Sequence, residues 1–263
     1  MIEDVPALST RDLTIHFGGQ VAVNGVTCAF RQGTLTAIVG PNGAGKTTYF
    51  NLISGQLRPS DGSVQLFGED ITRLGAPQRA RLGVGRAFQL TNLFPNLTVL
   101  ENVRLAVQSV ARIRFDFLSV AGRNAQLRDE AHYWLDRVKL SSRAGLPAAA
   151  LAHGDQRKLE VAILLALKPR VFMFDEPTAG MSLDEVPTIL DLIDEIKLQG
   201  DKTVLLVEHR MDVIKRLSDR IVVLQDGAMI ADGPPAEVVA SPAVQQAYLG
   251  MQRVAETTAR GRP

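Results

Sequence analysis

Short apolar runs alternate with helical stretches along much of the chain. Runs of strand length lie at 35–39 (LTAIV), 171–174 (VFMF) and 203–207 (TVLLV). Strands that are apolar at nearly every position are typical of a parallel sheet covered by helices on both faces. Helices are predicted at 47–55 and 184–199 from the pattern between these runs. The pattern therefore predicts an α/β fold with a mainly parallel sheet.

The segments before and after this core have other patterns. Residues 8–17 and 21–30 are β-rich stretches around a Gly-Gly turn and predict an N-terminal antiparallel β subdomain. Near the C-terminus, 221–225 and 228–231 flank Asp-Gly and predict a hairpin. A helix is predicted at 235–249.

The middle of the chain is mainly helical in character. Residues 99–140 are rich in Ala, Leu, Arg and Glu at helical spacing, and the Pro-containing segment 145–150 closes the block. We expect an inserted α-helical subdomain at 89–167 within one 263-residue unit. Residues 1–88 and 168–250 would then form the β subdomain plus core, and 251–263 a flexible tail.

A glycine-rich loop joins the predicted strand 35–39 to the helix that follows. It matches G-x-x-x-x-G-K-[ST], whose glycines let backbone N–H groups turn toward a phosphate at a helix N-terminus. Lys46 would reach the outer phosphates, and the Thr47 hydroxyl would be offered to Mg²⁺. A plain glycine turn is the alternative, but it does not explain Lys-Thr at the required offset. The predicted nucleotide-binding residues are Gly40, Pro41, Asn42, Gly43, Ala44, Gly45, Lys46, Thr47 and Thr48.

Composition and charge narrow the class of protein. The formal net charge of +1 favours neither nucleic acid nor a lipid surface as a direct partner. Cys28 is the single cysteine, which excludes an internal disulfide and a cysteine-based zinc site. We find no signal-peptide pattern and no apolar run near the ~20 residues that span a bilayer. The chain is therefore expected to be cytoplasmic, with any membrane role carried through a partner.

Two acidic residues follow the buried run 171–174. Asp175, at the carboxyl end of that strand, is suited to hold Mg²⁺ through a water. Glu176 points elsewhere and could polarise an attacking water as general base. Alone, this pair could equally cap a turn after a strand; the upstream phosphate loop favours the catalytic interpretation.

Two further polar residues are candidates for the reaction. Gln89 could touch the metal or the attacking water and report nucleotide state to a moving subdomain, although a lone Gln is usually a solvated surface residue. His209 follows 203–207 and could donate to the γ-phosphate or order the water near Glu176. A structural histidine is the alternative.

The segment 151–156 (LAHGDQ) precedes a helix predicted at 157–167. It is a glycine-bearing helix N-terminus with no lysine to hold a phosphate by itself. Its dipole suits an anion brought from elsewhere.

Together these segments resemble the ATP-binding subunits of ABC transporters. In that family's order, GPNGAGKTT, Gln89, LAHGDQ, VFMFDEP, SLD (182–184) and His209 look like the Walker A loop, Q-loop, signature, Walker B, D-loop and H-loop. Phe17 matches the aromatic residue that stacks on adenine. The resemblance covers nearly the whole chain and implies a P-loop NTPase (RecA-like) fold and an ATPase that uses ATP and Mg²⁺, with Thr47, Gln89 and Asp175 at the metal.

The resemblance also implies partners. Two ATP-binding subunits would meet head to tail, each ATP lying between one Walker A loop and the other subunit's signature, here Ala152, His153, Gly154 and Asp155. The second subunit could be a copy of this chain or a similar ATPase, and the family branch favours the latter. Two membrane-spanning permease subunits would dock at 90–102, and a solute-binding protein would act indirectly. The chain would thus lie on the inner face of the membrane.

One position departs from the family pattern. The signature's usual Ser is Ala152, so a hydroxyl that caps the helix and bonds the γ-phosphate is missing. Losing such a cap costs roughly 0.5–2 kcal/mol. Asp155 is expected to turn aside, because a carboxylate that faced the γ-phosphate would repel it. We expect the composite site that uses this signature to be weakened but active.

The finer resemblance is to cassettes for branched-chain amino acid uptake, carried by RAFQ…LFPNLTVLENV, HGDQRKLEVA, DEPTAGM, LLVEHRMDV and AYLG. Related cassettes handle other amino acids, urea or aromatic acids. A non-transport ABC ATPase that acts on DNA or ribosomes is a second class, but those carry tandem cassettes or coiled-coil insertions. A small-molecule P-loop kinase would explain Lys46 but neither LAHGDQ nor His209.

Overall fold

The computed structural model describes residues 5–87, 93–111 and 120–246. Its strands, in chain order, are β1 Leu8–Phe17, β2 Gln20–Phe30, β3 Leu35–Val39, β4 Asp61–Leu66, β5 Glu69–Asp70, β6 Val84–Ala87, β7 Val171–Asp175, β8 Thr203–Val207, β9 Arg220–Gln225 and β10 Ala228–Gly233. Its helices are α1 Lys46–Ser54, α2 Ala76–Arg81, α3 Val99–Val110, α4 Val120–Arg137, α5 His153–Ala166, α6 Val186–Leu198, α7 Met211–Leu217 and α8 Pro235–Ala240. Short 3₁₀ turns lie at Ser141–Arg143 and Ala148–Ala150.

In the described part of the chain, the strands form two sheets. The N-terminal sheet has the order β2-β1-β4-β5 and is antiparallel. The larger sheet has the order β10-β9-β3-β8-β7-β6, and only the β9–β10 hairpin in it is antiparallel. The predicted fold, a mainly parallel core with an antiparallel N-terminal sheet, is confirmed. The helices α3, α4 and α5 lie between β6 and β7 in the chain, where the helical block was predicted.

Side chains alternate across β7 and separate two hydrophobic clusters. Val171 and Met173 pack in the cluster that holds α1 and much of the N-terminal sheet. Phe172 and Phe174 pack on the other face, among residues of α3 to α7. Since successive strand residues point to opposite faces, Asp175 continues the face of Met173, toward α1.

The parallel register brings the candidate residues to one edge of the sheet. β3 pairs with β8, and β8 with β7, so the carboxyl ends of these strands lie side by side. The phosphate loop follows β3, Glu176 follows β7 and His209 lies just beyond β8. Ligands of open α/β sheets bind at this edge.

Two predicted helices differ from the structure. The helix predicted at 157–167 begins earlier, at His153, because the Gly and Asp of its first turn lower helix propensity but do not prevent the turn from forming. The helix predicted at 235–249 is interrupted: α8 ends at Ala240, Ser241 is extended, and helical backbone resumes over 242–246. Pro242 explains the interruption, because a proline disfavours helical backbone in the residue before it. Residues 247–249 lie outside the described part, as does the predicted tail 251–263.

Among the described residues, no helix is both long and apolar enough to cross a membrane.

Candidate active site

The phosphate loop connects the fully buried strand β3 to α1. Its backbone depends on glycine at two points. Gly40 has a φ of 151°, and a Cβ there would lie 2.1 Å from the carbonyl oxygen of Leu224. Gly45 has a φ of 92°, and a Cβ there would lie 2.4 Å from the carbonyl oxygen of Ala22. No larger residue fits at either position without moving backbone, so the loop's path is fixed by its glycines.

Lys46, the first residue of α1, folds back over this loop. Its Nζ donates to the carbonyl oxygens of Gly40 at 2.7 Å and Pro41 at 2.8 Å. Burial lowers the pKa of Lys46, whereas the nearby Glu176 and Asp175 raise it. Both hydrogen-bond acceptors are neutral, so the ammonium retains an unmet demand for negative charge. A phosphate would meet that demand.

A cavity of about 390 Å³ lies beside the loop. Besides the loop, its lining includes the start of β2, the turn between β9 and β10, and the residues that follow β7 and β8. The lining residues are Gln20, Val21, Ala22, Asn42, Gly43, Ala44, Gly45, Lys46, Thr47, Thr48, Glu176, His209, Asp226 and Gly227. Phe17 lies at the end of β1, three residues before Gln20, with its side chain 50% exposed at the rim of this region.

Glu176 and His209 meet across this cavity. The Nε2 of His209 lies 2.6 Å from the Oε1 of Glu176. Glu176 has a φ of 50°, a backbone conformation that costs a non-glycine residue on the order of 1–3 kcal/mol. Its amide is held by the carbonyl oxygen of Val207 at 2.9 Å. This arrangement turns the carboxylate out of the sheet and toward the phosphate loop.

Asp175 is buried and holds one partner. Its Oδ2 accepts from Nη2 of Arg86 at 2.8 Å, and its Oδ1 is buried with no hydrogen-bond partner in the described part of the chain. Burial raises the pKa of Asp175, and the charge of Arg86 lowers it. An open carboxylate oxygen and the exposed hydroxyl of Thr47 are hard oxygen ligands of the kind Mg²⁺ takes. These residues fit a magnesium site.

The signature segment 151–156 lies at the start of α5. Ala152 is the N-cap residue, is exposed, and supplies no side-chain hydrogen bond to the helix. Asp155 is buried and pairs with Lys158 at 3.1 Å and with Arg143. Its carboxylate is thus held inside the chain. The outward-facing end of α5 presents backbone amides and no cationic side chain of its own.

The signature is tied to the residues that precede α6. Lys158 also pairs with Glu185, which in turn accepts from the backbone and hydroxyl of Ser182 at 3.1 and 3.0 Å. The hydrogen bond from Lys158, with those from Ser182, lowers the pKa of Glu185 to about 2. The structure therefore joins the LAHGDQ and SLD segments through Lys158 and Glu185.

The predicted site residues fall into two groups in space. Loop residues 42–48 line one cavity with Glu176 and His209, whereas none of residues 151–156 lines it in the described structure. Gln89 lies outside the described residues. The sequence assigned no role to Arg86, although this residue begins the RAFQ segment, and it did not indicate the cavity walls formed by 20–22 and by Asp226-Gly227. A second signal for Arg86 was a charge within an otherwise small and apolar strand, V-G-R-A.

Comparison with known proteins identifies the family. The ABC transporter family model matches residues 23–179, and a model described as branched-chain amino acid ATP-binding cassette transporter matches 228–250. The chain is similar to the high-affinity branched-chain amino acid transport ATP-binding proteins LivG of Salmonella typhimurium (40% identical) and BraF of Pseudomonas aeruginosa (39% identical). Each match covers 93% of this chain and 98% of the relative.

Solved structures agree with the sequence matches. The ADP conformation of the ATP-binding cassette MJ1267 superposes with a TM-score of 0.78 at 28% identity, over 93% of this chain and 98% of that one. The dimeric post-hydrolysis state of the cassette MJ0796, bound to ADP and Pi, gives 0.77 at 25% identity, over 87% and 98%. The predicted family and P-loop NTPase fold are confirmed. The chain belongs to the ABC transporter family, as one of its ATP-hydrolysing cassettes.

Proposed function

We propose that this cassette is the ATP-hydrolysing subunit of an importer for branched-chain or related amino acids. The observation that carries the proposal is the likeness to LivG and BraF along nearly the whole chain, together with the branched-chain model match at 228–250. The lining of the 390 Å³ cavity, with the phosphate loop, Glu176 and His209, suits a phosphate. Solute choice would therefore belong to the partners.

The described residues support a division of labour for MgATP. The amides of residues 42–48 and the Nζ of Lys46 hold the phosphates, and Phe17 stacks on adenine. Thr47 and Asp175, with Gln89, would hold Mg²⁺, which would supply positive charge to offset that of the phosphates. Glu176 accepts a proton from the attacking water. His209 holds the Glu176 carboxylate at 2.6 Å and orients it toward the γ-phosphate.

The second wall of the site comes from another chain. The N-terminal end of α5 is exposed, and in the described structure it has no Lys or Arg side chain that could bind a phosphate. A helix of 14 residues nevertheless has a full dipole, whose positive end lies here. We infer a head-to-tail dimer in which Ala152, His153 and Gly154 approach the partner's γ-phosphate. Asp155 contributes through the helix start it stabilises. Either a copy of this chain or a similar ATPase can supply the partner.

Two membrane-spanning permease subunits would bind away from the nucleotide. Phe94 and Leu97, just before α3, are 56% and 37% exposed. A second cavity, about 1100 Å³, lies between α2, β6 and the end of α3 and includes Leu105 and Val110. This cavity is larger than the phosphate site, and the phosphate loop does not line it. If the permease subunits bind at this cavity and at Phe94 and Leu97, the cassette lies on the inner face of the membrane. The permease subunits then separate it from the solute-binding protein.

The experiment is reconstitution of the chain with its co-purified membrane partners and solute-binding protein. We expect ATPase activity that branched-chain amino acids stimulate, and no stimulation in the same complex carrying Glu176→Gln. Stimulation by urea or an aromatic acid instead would reassign the solute. Full ATPase activity with no membrane partner and no solute response would instead support a non-transport ATPase.

A further inference from the structure

Arg86, the charged residue of β6, connects two parts of the site that are far apart in sequence. Its Nη2 contacts Oδ2 of Asp175 at 2.8 Å. Its Nη1 contacts Oδ1 of Asn51 at 2.6 Å, and Ser54 Oγ and Gln56 Oε1 at 3.2 Å each. One side chain therefore joins the end of β7 to the helix that begins at the phosphate loop.

The sheet register explains how Arg86 reaches both. β6 and β7 are parallel, and Arg86 lies opposite Met173. Val84 and Met173 pack in the cluster around α1, so Arg86 points to the same face as Asp175. There the guanidinium carbon lies 5.5 Å from the centre of the Phe50 ring in α1. The side chains of Arg86 and Asp175 are only 5% and 0% exposed, so water does not substitute for this contact.

The contact between Arg86 and Asp175 is one-sided. An arginine can bind both oxygens of a carboxylate, but here Nη2 contacts Oδ2 alone, Nη1 is taken by three neutral acceptors from α1 and the turn after it, and Nε is buried with no hydrogen-bond partner in the described structure. Only Oδ2 of Asp175 is used. Oδ1 is left buried and unpartnered among the described residues, although a buried carboxylate oxygen normally finds a partner.

We propose that Arg86 is a positioning residue for magnesium. By holding Oδ2 it fixes the rotamer of Asp175 so that Oδ1 stays open for Mg²⁺ or one of its waters. By holding Asn51 it sets the same carboxylate in register with α1, whose first turn carries Thr47. This inference rests on the proposed MgATP function, and it gives Arg86 a role that the match of the RAFQ segment did not assign.

The test measures binding of the non-hydrolysable analogue AMP-PNP by calorimetry, in EDTA and over a MgCl₂ series, using the full chain. We expect Arg86→Gln to raise the Mg²⁺ concentration for half-maximal effect by about tenfold or more, as loss of a partner that orients a metal ligand does. AMP-PNP affinity in EDTA should stay within about twofold. Arg86→Lys keeps the positive charge but loses the planar guanidinium that contacts Asp175 and Asn51 together. It should raise the Mg²⁺ concentration for half-maximal effect by less.

The controls separate this inference from the function on which it rests. Arg170→Gln changes an arginine at the opposite end of β7, which stacks on Phe67, and should leave the Mg²⁺ requirement unchanged. Asp175→Asn should raise the requirement, and adding Arg86→Gln to it should change nothing further, because one residue acts through the other. If Asp175→Asn has no effect, the metal role in the proposed function fails.

Other outcomes overturn the inference itself. An unchanged Mg²⁺ requirement in Arg86→Gln, beside a raised one in Asp175→Asn, would show that Arg86 does not position the carboxylate. An equal loss of AMP-PNP affinity with and without Mg²⁺ would reduce Arg86 to a packing role. If Arg86→Gln does not fold, Arg86→Lys and Asn51→Ala must each still raise the Mg²⁺ requirement, and their failure to do so counts against the proposal.

Discussion

The phosphate loop and the signature segment are both glycine-bearing helix N-termini, yet they are built differently. At the phosphate loop, Lys46 lies over the loop with only neutral acceptors, and Glu176 and His209 face the same cavity. At the signature, the charged residues pair with one another inside the chain, and the exposed end of the helix, at Ala152 and His153, carries no Lys or Arg side chain in the described structure.

The difference indicates which half of the chemistry each segment can perform. The phosphate loop has a lysine whose described acceptors are all neutral, and a base lies nearby. This segment can therefore hold a phosphate while the base activates a water to attack it. A helix end with no cation can only add to a phosphate that is already held. One chain therefore carries one half of each of two ATP sites. Substitutions in each half should have different effects.

The largest effect is expected at the base. Glu176→Gln should lower the ATPase rate of the assembled complex by about 10²- to 10⁴-fold, because a general base contributes that much, while ATP binding persists. The measurement pairs steady-state hydrolysis with nucleotide affinity. Glu237→Gln, an exposed change in α8, is the matched control. Normal turnover in Glu176→Gln would remove Glu176 from the mechanism.

A pair of glycine substitutions tests the two segments against each other. Gly45→Ala forces a side chain into left-handed backbone against the Ala22 carbonyl, and strain of roughly 1–3 kcal/mol predicts a loss of about tenfold or more in ATP affinity. At Gly154→Ala, within α5, the new Cβ meets the Glu185 carboxylate at 3.1 Å and the carbonyl oxygen of Gly180 at 3.7 Å, and the backbone is helical rather than left-handed. This substitution should leave the ATP affinity of the isolated chain unchanged and lower the hydrolysis rate of the complex. Equal losses of affinity would place both segments at one nucleotide.

A smaller effect is expected from restoring the missing hydroxyl. Ala152→Ser would cap α5 and add a donor for the partner's γ-phosphate. Because a cap is worth roughly 0.5–2 kcal/mol, we expect the ATPase rate of the complex to rise by about two- to thirtyfold. Ala150→Ser, two residues earlier in a 3₁₀ turn, controls for a hydroxyl at the wrong place. No rise in Ala152→Ser would mean that this composite site is not weakened.

The smallest effect concerns pH and the ion pair beside the signature. The folded pKa of Glu185 is about 2, below its ordinary 4.5, so the ionised form stabilises the fold. That stability is present above about pH 4.5 and is lost as pH falls toward 2. Glu185→Gln should therefore be less stable at neutral pH, by under ~1 kcal/mol for a partly exposed pair, and the difference should shrink in acid.

Denaturant unfolding from pH 7 downward measures this difference, with Asp191→Asn as the control for a surface ion pair, here with Arg216. A constant difference between Glu185→Gln and the unaltered chain at every pH would contradict the Glu185–Lys158 account.

Much of this division was predictable from local sequence. The phosphate loop, the buried strands and the residues after them are contiguous patterns, and parallel strands bring their carboxyl ends together by geometry. The helix N-terminus without a lysine at 151–156 was also predictable, because the absence of a residue type over a few positions can be read directly from the sequence.

The parts that were missed depend on pairings across long separations. Arg86 and Asp175 are 89 residues apart, and Lys158 and Glu185 are 27 apart, so no spacing rule links them. The start of α5 was placed late because Gly154 and Asp155 have weak helix propensity, which tertiary contacts override. Asp155 gains those contacts from Lys158 and Arg143.

The most direct test of the central claim is the ATPase rate per chain as a function of chain concentration, with the oligomeric state followed by sedimentation. We predict negligible turnover where the chain is monomeric, and a rate per chain that rises with self-association or on addition of the partner ATPase. A constant rate per chain in a sample that sediments as a monomer would contradict the account, because the phosphate loop would then be a complete site.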